Sequence, residues 1–165
     1  RAKTSWVSGP EGAAVSGRAP VDTVAFFEGL AAEMNAHPER YEVLGDCDLV
    51  LGIVMARDGE DAFRARLTFE GIACLDVSEA EAGDEALADC WLEGPFDAWQ
   101  AMVDDIVEHG RATGRHTLNS LTLVGESIRL RGSDVMGIDK FSRFNQSLQE
   151  FFDGAAATPA LRAGG

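Results

Sequence analysis

Apolar residues recur every three or four positions in three segments of the chain, and this spacing predicts three amphipathic helices. Each segment follows an aspartate that could cap a helix and ends at glycine or proline, the residues that usually stop one. We therefore expect helices after Asp22, Asp97 and Asp139, with ends at His37-Pro38, Gly110 and Gly154.

Between these segments the period changes to two, which predicts strands. The clearest alternation runs over residues 63–69, and we expect further strands over residues 42–55, 72–77, 87–92 and 128–130. Residues 118–123 also alternate, so they predict either the first half of a broken last strand or its paired neighbour. This order of elements favours an α+β fold with a mainly antiparallel five-stranded sheet covered on one face by helices.

The ends of the chain differ from its middle in composition. Residues 1–20 and 155–165 are rich in glycine and alanine and have little periodicity, so we expect flexible tails, with Trp6 an exposed aromatic in the first. A length of 165 residues suits one domain, which we place at residues 21–154. Whether residues 1–20 link to another domain stays open at this stage.

The charge balance narrows the function classes. Fourteen Lys and Arg against 28 Asp and Glu give a net charge of −14, and the segment from Asp76 to Glu108 has eleven carboxylates without one Lys or Arg. Such a field repels phosphate backbones and anionic membrane surfaces, so we expect no nucleic-acid partner. No apolar run approaches a membrane span, so we expect no stable membrane insertion.

Three separated cysteines, Cys47, Cys74 and Cys90, lie in apolar runs and predict buried thiols in a reducing compartment, the cytoplasm. The chain has three histidines without metal-ligand spacing and has no phosphate-binding glycine loop, so we expect neither a metal nor a cofactor.

Two polar groupings have both a structural and a functional interpretation. His116, with Asp104 or Asp105, could act as an acid/base pair. The more ordinary interpretation is that the aspartates lie on the solvent-exposed face of a helix and that His116 is a structural residue at a strand edge. The outward-facing arginines of two strands are expected to pair with the surplus acids or to form a small anion-binding patch. They are Arg64, Arg66, Arg129 and Arg131.

The predicted helices carry more large aromatic side chains than a thin helix-on-sheet layer needs. Such a stripe is ordinarily core, but it lines an apolar tunnel if sheet and helices do not close on each other. The predicted ligand-binding residues are Phe27, Trp91, Phe96, Trp99, Met102, Val103, Ile106, Met136, Phe141, Phe144, Leu148 and Phe151.

Two motifs carry a resemblance to a known family. Residues 127–134, Ser-Ile-Arg-Leu-Arg-Gly-Ser-Asp, precede an apolar helix, and residues 88–92, Ala-Asp-Cys-Trp-Leu, precede Phe96-Asp97-Ala98-Trp99. Together with the order of elements over residues 21–154, they resemble the sterol carrier protein family of type-2 lipid-transfer domains (SCP2 domains). The resemblance implies a hydrophobic cavity between sheet and helices that holds a fatty acyl chain, a sterol or a similar lipid, without catalytic residues. The phenylalanine-rich last helix departs from the family's more aliphatic one.

Three functions therefore remain at this stage. The first is noncatalytic binding or transfer of a hydrophobic small molecule. The alternative is a small cone-shaped α+β enzyme, such as an isomerase, dehydratase or hydrolase, that uses His116 with Asp104 or Asp105. The third is an interaction module that buries the stripe over residues 141–152 against a partner or in a homodimer.

Overall fold

The computed structural model describes residues 19–157, so Trp6 and nearly all of the two predicted tails lie outside the described residues. The described chain forms six helices and five strands. The helices are α1 (Val24–Ala36), α2 (Glu39–Glu42), α3 (Phe96–His109), α4 (Leu118–Leu121), α5 (Val135–Arg143) and α6 (Asn145–Asp153). The strands are β1 (Leu49–Ala56), β2 (Phe63–Glu70), β3 (Ala73–Glu79), β4 (Cys90–Pro95) and β5 (Arg129–Arg131).

The five strands form one sheet in the order β3-β2-β1-β4-β5. Three of the neighbouring pairs are antiparallel and the pair of β1 with β4 is parallel, so the predicted mainly antiparallel sheet is confirmed. A parallel pair needs a crossover connection. Here the connection includes β2 and β3, and its last part, residues 80–89, called the crossover below, runs across the sheet face opposite the helices.

The main core lies between the helices and one face of the sheet. Alternate residues of β1 and β2 point into it, among them Leu51, Ile53 and Leu67, which are fully buried. The opposite face, called the outer face below, carries a smaller apolar cluster in which Val54 and Trp91 pack against alanines of the crossover. Buried and partly exposed side chains therefore alternate along β2, because successive residues point to the helix-covered face and to the partly open outer face.

The predicted helix starts are corrected at each of the three aspartates. Thr23, not Asp22, caps α1 by accepting the Phe26 N–H at 3.2 Å, while Asp22 forms an ion pair with Arg57 at 3.0 Å. Asp97 lies inside the first turn of α3, where its charge suits the helix dipole. The last helix begins earlier than Asp139, because Asp134 caps α5 by accepting the Gly137 N–H at 2.8 Å.

The predicted single last helix is broken in two. Phe144 has φ −105° and ψ 14°, and it ends α5 and begins α6. Gly154 follows α6 with a right-handed φ of −57°, so it does not stop the helical path. The chain continues through a 3₁₀ turn, Gly154–Ala156, in which Ala155 is fully buried.

Residues 118–123 are not a strand, as their alternation predicts, but contain the short helix α4. Thr117 caps it by accepting the Ser120 N–H at 3.1 Å, and Leu118 and Leu121, three positions apart, are buried. His116 accordingly lies in a 3₁₀ turn, Gly114–His116, and not at the start of a strand.

At one edge of the sheet, a side chain bonds the backbone groups of one residue of β3. The Asn35 carboxamide accepts the Cys74 N–H and donates to the Cys74 carbonyl, both at 2.9 Å. Helix α1 is thereby fixed along the edge strand.

Candidate functional site

Ten of the twelve predicted ligand-binding residues come together in the main core between sheet and helices. Eight of them are buried, and Phe96 and Phe144 are partly buried against them. The other two lie elsewhere: Trp91 belongs to the cluster on the outer face, and Met136 is 73% exposed at the start of α5. Trp91 precedes the inward-facing Leu92, so strand alternation alone turns its ring to the outer face.

The aromatic rings of this core contact one another. Phe152 lies at the centre of the group, with ring centroids 6.0 Å from Phe27, 5.9 Å from Trp99 and 5.6 Å from Phe151. Sequence reasoning placed Phe152 on the apolar stripe of the last helix but left it out of the ligand set. Phe152 therefore packs α6 against α1 and α3.

One polar atom in this core has no partner. Trp99 is fully buried, and its indole N–H finds no acceptor among residues 19–157. Buried tryptophan N–H groups usually have a hydrogen-bond partner, and an unsatisfied one costs about 1–3 kcal/mol. The core therefore has a free donor at which an oxygen atom would be stabilised.

An open groove of about 580 Å³ lies at the edge of the core, between α4, β5 and the α5–α6 break. We call it the helix-side groove. Its apolar wall includes Leu44, Leu123, Leu130 and Phe141, and its polar wall includes Asn119, Gln146 and Arg143. Small-molecule pockets are about 300–1,000 Å³ in volume, so the groove is large enough for a lipid-sized ligand.

Helix α6 connects the groove with the aromatic core. Ser147 lines the groove, whereas the following Leu148 and, one turn later, Phe152 are buried in the core. The Gln149 side chain accepts the Leu118 N–H at 2.7 Å, which holds α4 against α6. The two short helices therefore form one wall of the groove.

The polar side of the groove carries a positive charge that is partly neutralised. Arg143 forms an ion pair with Asp139 at 2.7 Å and lies 5.6 Å from the centroid of the Phe144 ring. Both partners of the ion pair are more than half exposed, so water screens it and a ligand anion can compete for the guanidinium.

The candidate acid/base residues do come close together. Asp105 accepts hydrogen bonds from the Thr113 N–H at 2.6 Å and from the Thr113 hydroxyl at 3.0 Å. His109 Nδ1 lies 3.0 Å from Asp105 Oδ1, and His116 Nδ1 lies 3.8 Å from the same atom, beyond hydrogen-bond distance. Asp104 is exposed and accepts from the Gln100 amide at 2.9 Å.

The electrostatics of Asp105 are those of a structural anchor. Burial by itself raises its pKa, but the two hydrogen bonds from Thr113 and the nearby histidines outweigh burial, and the pKa is lowered below the ordinary 3.8. A carboxylate held ionised in this way fastens the loop after α3. It is a poor proton acceptor, and neither it nor His116 lines the helix-side groove.

The three cysteines are buried and unpaired, as predicted, and burial raises the pKa of each thiol to about 12. They are inert as nucleophiles in this state. Within residues 19–157, no group of His, Cys, Asp and Glu side chains is arranged to hold a metal ion. None of the helices in the same range combines the length and the apolar content needed to span a bilayer.

Comparison of the sequence with protein-family models and with curated proteins finds no match. Comparison of the structure with solved structures does find matches. A crystal structure of sterol carrier protein 2 superposes with a TM-score of 0.63 at 18% identity, over 83% of this chain and 98% of the other. A solution structure from Thermus thermophilus, described as a conserved hypothetical protein and possibly a sterol carrier protein, gives 0.56 at 17% identity, over 79% and 86%. The chain therefore has the fold of sterol carrier protein 2, which confirms the resemblance in its sequence.

Proposed function

We propose that this protein binds or transfers a lipid-like amphipathic molecule without catalysis. The observation that carries the proposal is the helix-side groove, in which an apolar wall continuous with the core faces a polar wall. An acyl chain or sterol ring would lie along Leu44, Leu130 and Phe141, with its polar end towards Arg143. The solved structures of similar fold include one named as a sterol carrier protein, which supports the same ligand class.

The unpartnered Trp99 indole favours a ligand that carries a second oxygen atom far from its polar end, as a hydroxylated fatty acid does. Such a ligand would pass below α6 from the groove and displace Phe152, which now lies against Trp99. On this proposal the ten predicted residues that lie in the main core line the ligand in the occupied state. Residues 21–154 are then the binding domain, and the cytoplasmic location and the homodimer stay predictions.

The experiment uses two exposed leucines as a matched pair. Leu123 is 57% exposed and lines the groove, whereas Leu87 is 55% exposed and lies in the crossover, outside the groove. Both leucine side chains reach solvent, so a lysine at either position leaves the fold intact. Replacing an apolar contact by a charge removes about 1.5–3 kcal/mol of burial, or about tenfold or more in affinity.

We expect a fluorescent fatty acid to bind the unmodified protein saturably, with a Kd in the micromolar range. Leu123→Lys should weaken binding about tenfold, and Leu87→Lys should leave it unchanged. Native mass spectrometry of the protein as purified should detect a retained lipid. Absence of saturable binding, or equal binding by both lysine variants, would refute the groove as the ligand site.

A further inference from the structure

The outer face of the sheet has a pocket of its own, of about 270 Å³, which we call the sheet-face pocket. Val54 and Trp91 contribute the apolar part of its lining. Its charged lining includes Arg64 and Arg131 from the strands and Glu81 and Glu85 from the crossover. The sheet separates this pocket from the main core, so it is distinct from the helix-side groove.

The indole of Trp91 is held in place from two sides. Below it, Gly52 has no side chain, and the ring occupies the space that a Cβ atom would take. At its edge, the Trp91 N–H donates to the Glu85 carbonyl at 2.9 Å, which ties the ring to the crossover. The apolar part of the pocket is therefore preorganised, and a ligand need not order it on binding.

The charges of the pocket are only partly satisfied. Arg131 forms an ion pair with Glu93 across β4 and β5. Among residues 19–157, the Arg64 guanidinium has no ion-pair or side-chain hydrogen-bond partner, and the same holds for the Glu81 carboxylate. Within the same range, the Glu85 carboxylate accepts only the Gly83 N–H, at 3.4 Å. As far as the described part of the chain goes, the pocket thus presents one free cation and nearby free carboxylates around an apolar surface.

This combination selects a zwitterion. The carboxylates would repel a ligand that carries only a negative charge, and the two guanidinium groups would repel one that carries only a positive charge. An uncharged apolar molecule would remove water from all of these charged groups without pairing with any of them. A volume of about 270 Å³ is below the usual range for drug-sized ligands and suits a molecule of about a dozen heavy atoms.

We propose that the sheet-face pocket binds a free amino acid with an apolar side chain. The amino acid's carboxylate pairs with Arg64, its ammonium group pairs with Glu81 and Glu85, and its side chain packs on Val54 and Trp91. The ion pairs are solvent-accessible, so binding is weak, with a Kd of about 1 mM. Neither the fold comparisons nor the proposed lipid binding involves this site.

The test is a titration of the intact protein with L-phenylalanine, monitored by the indole N–H signal of Trp91 in proton–nitrogen correlation NMR spectra. Trp91→Phe identifies that signal among those of the three tryptophans. Two analogues serve as separate arms: phenethylamine lacks the carboxylate, and 3-phenylpropionate lacks the ammonium group. We expect saturable shifts with phenylalanine and at least about fivefold weaker binding of each analogue.

Two variants test which side chains bind the carboxylate and the ammonium group of the amino acid, and a third variant is the control. Arg64→Gln should weaken phenylalanine binding about fivefold or more and leave phenethylamine binding unchanged. Glu81→Gln should weaken phenylalanine binding and leave 3-phenylpropionate binding unchanged. Arg129→Gln is the matched control, because Arg129 lies on the same face of β5 as Arg131 but outside the pocket, and it should bind phenylalanine like the parent.

The proposal is overturned if phenylalanine does not shift the Trp91 signal saturably at millimolar concentration. It is equally overturned if the two analogues bind as well as phenylalanine, or if Arg64→Gln and Arg129→Gln behave alike. Lipid binding through the helix-side groove is measured separately with the fluorescent fatty acid, so the failure of one site is distinguishable from the failure of the other.

Discussion

The indole of Trp91 lies directly over Gly52. A Cβ atom at position 52 would be 2.0 Å from Trp91 Cε3 and 2.1 Å from Cδ2, so ring and side chain cannot coexist. The two residues are directly opposite each other in the parallel pair of β1 with β4. The absence of a side chain on the central strand is what allows an aromatic ring to lie flat on the outer face.

Gly52→Ala should therefore destabilise the protein by about 1–3 kcal/mol, the usual cost of overpacking. Chemical denaturation of the single variants and of the double variant with Trp91→Ala measures the coupling. In the Trp91→Ala background the alanine at position 52 should cost little, since the ring is gone. Equal costs in both backgrounds would contradict the steric explanation.

Trp99→Phe tests the unpartnered donor in the core. It removes an N–H without an acceptor, which offsets part of the packing loss, so we expect a destabilisation of about 1–2 kcal/mol and not the 3–5 kcal/mol of a truncation to alanine. The variant should bind a hydroxylated fatty acid about three- to tenfold more weakly and the same fatty acid without the hydroxyl group equally well. Trp91→Phe is the control, and a matching loss of fatty-acid affinity in it would argue against a role for Trp99.

Asp105→Asn should reduce stability at neutral pH, with a deficit that shrinks in acid. The pKa of Asp105 is lowered in the folded protein, so its stabilising charge is fully present above the pKa of the unfolded chain and is lost as the pH falls through the folded value. Unfolding free energies of parent and variant at about pH 6 and about pH 2 measure the difference. A deficit of the same size at both values would mean that the charge contributes nothing.

Asp153→Asn should behave in the opposite way. Burial raises the pKa of Asp153 against the opposing effect of hydrogen bonds from the Ala112 N–H and the Gln149 amide, both to Oδ1 at 3.0 Å. The ionised form therefore costs stability at neutral pH, and the cost disappears as the pH falls below the ordinary aspartate pKa. Asparagine keeps the acceptor, so the variant should be more stable than the parent at neutral pH and equal to it in acid. A variant less stable at neutral pH would contradict this.

The sequence predicts best those elements whose pattern reflects a single environment. Residues 63–69 alternate because one face of β2 packs on helices and the other meets the outer face, and the predicted strand is confirmed. Gly110 ends α3 as predicted because its φ of 86° is one that glycine adopts freely. In these places local preference and tertiary contact agree.

The errors arise where distant contacts decide between two local options. Residues 118–123 fit both a strand and a helix, and the hydrogen bond between the Leu118 N–H and the Gln149 side chain, 31 positions away, belongs to the helical form. The break at Phe144, and with it one end of the helix-side groove, lies inside a continuous apolar stripe. The sheet-face pocket depends on the pairing of Gly52 with Trp91, which no pattern within either strand specifies.

The carboxamide of Asn35 has a consequence for how copies of this protein meet in concentrated solution. A sheet grows by adding chains at an edge whose backbone groups are free. The Cys74 N–H and carbonyl are both already bonded to the Asn35 side chain, so an incoming strand cannot form backbone hydrogen bonds with this residue. A single side chain on a neighbouring helix thus blocks the pairing of a second chain at this position of the edge.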